Sequence, residues 1–221
     1  MIAYDHDCVS AIFDSSNNTK DLKVHVPDNI RHVIVELYAD LKDEYYELDD
    51  FEVDLFACFL DSSGKVPSND YLMYYNNEYL WKSEPGEQYF VDRRWIWGFP
   101  DALAEAYYLH LDIVPKEIES IVFFCDIYDA ESRNYDYDMC NYVRMRIGNS
   151  KMENSEGMSD GEIERKATLA QWEVHNNLRN ATVVNFATLR RAENGWDIVQ
   201  NEGIVQSNIK PELFTKGTCS P

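Results

Sequence analysis

Basic residues and long apolar runs are both scarce in this chain. Lysine and arginine total 20 against 40 aspartates and glutamates, so the formal net charge is −20 over 221 residues. Nucleic-acid binding requires clustered basic side chains, and the charge therefore argues against a direct nucleic-acid partner. No apolar run reaches the roughly 18 residues of a membrane span, so we expect no transmembrane segment. Residues 1–7 lack the basic and apolar regions of a signal peptide, which predicts a cytoplasmic protein.

Familiar catalytic motifs are also missing from the sequence. The five histidines are scattered, and no His-Glu-x-x-His pair, Gly-x-Ser-x-Gly elbow or glycine-rich phosphate loop occurs. The five cysteines form no Cys-x-x-Cys pair, so free thiols are expected. We therefore predict a non-enzymatic protein. A divalent-metal hydrolase is the least supported alternative, because no histidine stands near the acids.

Acids alternate with apolar residues at the start of segment 49–60. Asp50, Glu52 and Asp54 share one parity, and the positions between them are apolar. A period of two predicts a half-buried strand on which side chains two apart point the same way, about 6.6 Å from each other. Like charges at that spacing repel, so the row needs either open water or a bound cation. Oxygen ligands suit Ca²⁺ or Mg²⁺, and both an acidic solvent face and a cation site are open at this point.

Short strand-like runs recur along the chain, whereas helical signals are few. The predicted strands cover residues 30–41, 49–60, 71–75, 107–113, 121–128, 142–147, 181–191 and 196–205. The pair Asn194-Gly195 predicts a hairpin between the last two strands. Helix is expected only as one or two turns in 129–135 and as a short capped helix in 159–166.

This pattern predicts an all-β fold, an antiparallel β-sandwich of two sheets with one or two short helices. A single domain is expected over residues 1–221, with its core at about 22–206 and a frayed carboxy-terminal tail.

Several short motifs occur in a distinctive order. They are Asp50-Phe51-Glu52-Val53-Asp54, Gly64-Lys65-Val66, Tyr75-Asn76-Asn77, Val114-Pro115, Ile121-Val122-Phe123, Asp129-Ala130-Glu131-Ser132-Arg133 and Glu193-Asn194-Gly195-Trp196. In this order they resemble the tellurium-resistance TerD family over roughly residues 30–205. The resemblance implies a calcium-binding β-sandwich without established enzymatic activity. It also implies protein partners in a stress-response or membrane-associated assembly, in bacterial operons tied to tellurite, phage and colicin resistance.

The resemblance further implies which residues hold Ca²⁺. The acidic strand would present Asp50, Glu52 and Asp54, while Asp92 and Glu105 would close the site from loops, with Asp101 nearby.

The loop region departs from the family pattern. Its glycines are mostly gone, which restricts a loop that must wrap an ion closely. Arg93 and Arg94 bring positive charge near the site. One weakened calcium site, or none, is therefore expected.

Two further segments are open to more than one reading. The second acidic cluster is either a solvated loop or a group in which Asp129 closes the cation site or helps to bind a partner; its members are Asp126, Asp129, Glu131, Asp136 and Asp138. The segment Trp95–Pro100 forms either a buried plug or an exposed recognition surface. A second hypothesis for the whole protein is an acidic decoy that engages a basic protein surface, as nucleic-acid mimics do, without calcium.

Overall fold

Strands make up most of the regular structure. The computed structural model describes residues 12–14, 23–48, 50–74, 91–94, 103–150, 168–174 and 180–200, with the backbone alone at 12–14, 91–94 and 103–104. The strands are β1 (Ile12–Asp14), β2 (Lys23–Val26), β3 (His32–Leu41), β4 (Val53–Asp61), β5 (Leu72–Met73), β6 (Val91–Arg94), β7 (Leu103–His110), β8 (Ile118–Ile127), β9 (Cys140–Asn149), β10 (Thr168–Val174), β11 (Val183–Ala192) and β12 (Gly195–Gln200). The helical elements are α1 (Ala130–Arg133) and the 3-10 turns Asp43–Tyr45, Asn69–Tyr71 and Tyr137–Met139.

The strands form two six-stranded sheets. Sheet 1 has the order β1-β10-β9-β3-β7-β6, and sheet 2 has the order β2-β12-β11-β8-β4-β5. Every pairing is antiparallel except that of β1 with β10. The predicted all-β sandwich is therefore confirmed, and the described part of the chain contains no helix long and apolar enough to cross a membrane. The single-domain organisation stays a prediction.

The main core lies between the two sheets. Alternate side chains of β3 and β4 point into it, among them Val33, Val35, Leu37, Leu55 and Phe59, none of which exposes any surface. Burying each aliphatic side chain contributes roughly 1.5–3 kcal/mol relative to leaving it in water. The period-two pattern that predicted these strands is thus the pattern that builds the core.

A second apolar cluster covers the outer face of sheet 2. Phe56, Cys58 and Leu60 of β4 belong to it, and the Phe56 ring stacks on Phe124 of β8 with 4.9 Å between ring centroids. Strand β4 is therefore buried on both faces, and the prediction of a wet face was wrong. The sequence did indicate a second buried face, because the alternate positions that are acidic up to Asp54 are apolar after it.

The start of β4 also corrects the predicted row of acids. The strand begins at Val53, so Asp50 and Glu52 lie in the chain before it and only Asp54 stands on the strand. The three carboxyl groups therefore do not form a row on one rigid strand.

The hairpin between β11 and β12 is confirmed. Its turn is Glu193-Asn194, and Gly195 adopts a φ of 106°, which favours glycine. A Cβ at Gly195 would lie 2.2 Å from the carbonyl oxygen of Val26 on neighbouring β2. The glycine is thus required both by the backbone conformation and by the close approach of a third strand.

Candidate functional site

Two connections lie at one end of the sandwich, next to the predicted calcium site. Together they carry most of the exposed acids of the described chain. The connection between β3 and β4 covers 42–52, and the connection between β8 and β9 covers 128–139. The Lys42 N–H donates to the Met139 carbonyl at 2.9 Å, and the Tyr128 N–H donates to the Glu52 carbonyl at 3.0 Å. We call this region the acidic end. Its exposed acids are Asp43, Glu44, Glu47, Asp50, Asp129, Glu131 and Asp138.

Asp50 is held by two residues of the second connection. Arg133 Nη1 donates to the Asp50 carbonyl at 2.5 Å and lies 3.6 Å from its Oδ2, while the Tyr135 hydroxyl donates to Oδ1 at 2.8 Å. Arg133 also lies 3.9 Å from the Asp129 carboxylate. The hydrogen bond to Asp50 raises the pKa of Tyr135 above its ordinary value. The positive group opposite Asp50 is therefore an arginine of this chain.

Asp54 faces another acid. It pairs in register with Asp126 of β8, and both follow the parity of Phe56 and Phe124 on the outer face of sheet 2. Asp54 is buried, with 3% of its surface exposed. Burial, followed by the negative charge of Asp54, raises the pKa of Asp126 to about 7. The protonated form of the Asp126 carboxyl group is therefore favoured in the folded chain up to about neutral pH.

Glu105 lies on strand β7 and points into the sandwich. The prediction that a loop carries it was wrong. Its Oε2 accepts a hydrogen bond from the Leu55 N–H at 2.5 Å, and the Tyr107 hydroxyl donates to the Leu55 carbonyl. Within the described residues, β5 pairs with β4 at Ala57 and Cys58, and the backbone groups of Leu55 meet these two side chains instead. Glu105 thus satisfies a backbone group of the other sheet.

The other two predicted ligands lie elsewhere. Asp92 is on strand β6 of sheet 1, opposite Tyr108, and not in a loop as predicted; its side chain is outside the described residues. Asp101 is also outside them, as are Tyr75-Asn76-Asn77 and Trp95–Pro100.

The described donors do not fit a calcium site. Ca²⁺ takes six to eight oxygens around one centre, whereas Asp50 is engaged by Arg133, and Glu105 points into the core on the opposite face of β4 from Asp54. Within the described ranges, no group of three or more His, Cys, Asp or Glu side chains is placed to hold a metal. The calcium prediction itself stays a prediction.

Three features of the site were not predicted from the sequence. The Asp54–Asp126 pairing, the clamp of Asp50 by Arg133 and Tyr135, and the role of Tyr107 all depend on contacts between distant segments. A weak signal existed for the first, since Asp126 interrupts an apolar run in a central strand. The predicted free thiols are confirmed for the described cysteines Cys58, Cys125 and Cys140, which are buried and unbridged.

Known proteins share this sequence pattern and fold. The chain is 25% identical over 168 residues to the tellurium resistance protein TerD of Serratia marcescens, which covers 76% of this chain and 78% of that protein. It is 23% identical to the protein of the same name from an Alcaligenes species, with the same coverage. A solved homologue of telluride resistance protein (TerD) from Streptomyces coelicolor A3(2) has a TM-score of 0.51 and 17% identity, over 83% of this chain and 94% of that one, which supports the fold. The TerD domain matches residues 17–210, and the chain therefore belongs to the TerD domain family.

Proposed function

We propose that this chain is a non-enzymatic interaction module of a bacterial stress or defence system, acting in the cytoplasm by binding a protein partner. The observation that carries the proposal is the TerD domain match over residues 17–210, together with relatives named for tellurium resistance. A net charge of −20 supports a basic protein surface as the partner. Anionic lipid would repel such a chain, so any membrane association runs through the partner protein.

The acidic end is the face that we propose for docking. Its backbone hydrogen bonds and the Arg133–Asp50 contact fix the two connections against each other, so the exposed carboxylates are presented without a large ordering cost. The described cations at this end are Lys42, which lies 3.7 Å from Asp138, and Arg133. A field of one sign steers a basic partner and rejects acidic ones.

Survival under tellurite tests the function. Expression of the chain in a tellurite-sensitive bacterium that lacks its own TerD protein is expected to raise survival. The double charge reversal Glu44→Lys/Glu47→Lys is expected to remove the gain, because both acids are exposed at the acidic end. Glu117→Lys/Glu119→Lys is the matched control, since these exposed acids lie at the start of β8, at the opposite end of that strand. Absence of any gain with the folded wild-type chain would refute the function, and equal survival with the acidic-end variant would refute the docking face.

Calorimetry separates this proposal from the calcium prediction and from the decoy hypothesis. Binding of Ca²⁺ that is lost in Asp50→Asn and Asp54→Asn supports a calcium-dependent module. The decoy hypothesis is supported if the chain forms a complex with a basic protein whose affinity falls with salt, does not change with Ca²⁺ and is competed by nucleic acid. A complex whose affinity changes with neither Ca²⁺ nor nucleic acid supports the interaction module as proposed.

A further inference from the structure

Two histidines that are 78 positions apart in sequence face each other across sheet 1. His32 begins β3 and His110 ends β7, and the two are direct partners in the antiparallel register. Their ring centroids are 4.2 Å apart, with an angle of 80° between the ring planes. Both side chains are half-buried, so each retains access to solvent. They follow the parity of Glu36 and Ala106, which places the pair on the outer face of sheet 1.

We propose that His32 and His110 form a binding site for a divalent transition-metal ion that prefers imidazole, such as Zn²⁺, Ni²⁺ or Cu²⁺. Imidazole nitrogen is a favoured ligand for these ions, whereas Ca²⁺ and Mg²⁺ prefer oxygen. The site lies in a different sheet from Asp50, Glu52 and Asp54 and uses none of the residues predicted to bind calcium.

The ring separation is close to what chelation needs. With a metal–nitrogen distance of about 2.0–2.1 Å, each ring centroid lies roughly 3.2 Å from the ion, so two rings at octahedral or tetrahedral angles stand about 4.5–5.2 Å apart. The observed 4.2 Å is slightly shorter, and small rotations about the side-chain torsions open it. The sheet holds the two Cα atoms in register, so little backbone ordering is required on binding.

The local charge also permits a cation. Arg31 precedes His32, but its guanidinium lies 4.0 Å from the carboxylate of Asp112, which follows β7. The chain as a whole carries a charge of −20, which raises the concentration of divalent cations at its surface. Two protein ligands leave the remaining coordination positions to water, so the affinity is expected to be below that of a three- or four-ligand zinc site.

Zinc titration of the full chain, followed by calorimetry, tests the site. His32→Gln and His110→Gln are each expected to weaken the strongest Zn²⁺ binding by at least about tenfold, since even loss of an outer-shell partner of a metal site costs that much. His25→Gln is the matched control: His25 is an exposed histidine that lies 3.0 Å from the Asp197 carboxylate, and its partner in the described register of β2 with β12 is that aspartate and not a second imidazole. This control is expected to bind Zn²⁺ as the wild type does. Circular dichroism establishes that each variant is folded.

A measurement on the unsubstituted protein makes the test independent of variants. Paramagnetic Ni²⁺ is expected to broaden the ring resonances of His32 and His110 together, at lower concentration than those of His25. Unchanged Zn²⁺ affinity in both folded variants, or broadening of His25 before the pair, would overturn the proposal, because carboxylates would then account for the binding.

Discussion

The Glu105 carboxyl oxygen and the Leu55 backbone N–H form a 2.5 Å hydrogen bond across the interior of the sandwich. The two residues belong to different sheets, β7 of sheet 1 and β4 of sheet 2. Tyr107, two positions along β7, donates to the carbonyl of the same Leu55. Both backbone groups of Leu55 are thereby satisfied by side chains from the facing sheet. Glu105, which the family resemblance implied to be a calcium ligand, therefore has a structural role.

Replacement of Glu105 tests that role. Glu105→Leu keeps an apolar side chain in the core but leaves the buried Leu55 N–H without its acceptor, so the free energy of unfolding is expected to fall by about 1–3 kcal/mol. Glu119→Leu, at an exposed position near the start of β8, is the control and is expected to change stability by at most about 0.5 kcal/mol. Urea unfolding at constant pH measures both. Wild-type stability in Glu105→Leu would contradict the structural role.

The Asp54–Asp126 pair predicts a stability change with pH. The folded pKa of Asp126 is raised to about 7 from 3.8, so between these values the folded chain holds a proton that the unfolded chain has released. Stability is therefore expected to fall as pH rises from about 4 to about 7.

The isosteric substitution Asp126→Asn removes that penalty. It is expected to stabilise the protein by roughly 1–3 kcal/mol above pH 7 and to have little effect near pH 4. Asp129→Asn, an exposed acid three positions along, serves as the control and is expected to lack this pH profile. Thermal unfolding across the pH range is the measurement, and a stabilisation that is independent of pH would refute the raised pKa of Asp126.

A buried ion pair on the outer face of sheet 1 gives a third prediction. Arg146 of β9 contacts Glu36 of β3 in register, with 5% and 9% of their side chains exposed. Arg146→Met leaves a buried carboxylate without its partner and is expected to cost about 3–5 kcal/mol. The double variant Glu36→Leu/Arg146→Met is expected to recover most of that loss, because both charges are gone.

The neighbouring pair Arg144–Glu173 is the matched control for this experiment. It is more exposed, at 24% and 19%, so Arg144→Met is expected to cost about 1 kcal/mol. Chemical denaturation of the wild type, Arg146→Met, the double variant and Arg144→Met measures these changes in stability. A double variant that is no more stable than Arg146→Met alone would show that packing, and not charge, dominates.

The hairpin glycine supplies the fourth prediction. Gly195→Ala introduces a Cβ 2.2 Å from the Val26 carbonyl oxygen and forces alanine to a φ of 106°. The backbone strain alone is expected to cost about 1–3 kcal/mol, and displacement of β2 adds to it. Gly64→Ala also has a positive φ, 74°, but meets no atom within 4 Å, so it isolates the cost of backbone strain. Equal losses of melting temperature in the two variants would exclude the steric contact with β2.

The limits of the sequence are clearest around β4. Its apolar period gave the correct strand, but the acids before it suggested a solvent-facing row that does not form. The outer positions after Asp54 are Phe56, Cys58 and Leu60, which belong to the second apolar cluster. The prediction relied on the few acids before and at Asp54 and overlooked the longer apolar pattern after them. The strand itself starts only at Val53.

The sequence by itself determined the strand content, the hairpin at Gly195, the acidic surface and the family, because periodicity, turn chemistry and motif order are local properties. Tertiary structure decided that Glu105 meets Leu55, that Asp54 meets Asp126 and that His32 meets His110. Each of these pairs joins strands far apart in the chain. Their register follows from how the described strands pack together, and no local pattern of residues encodes it.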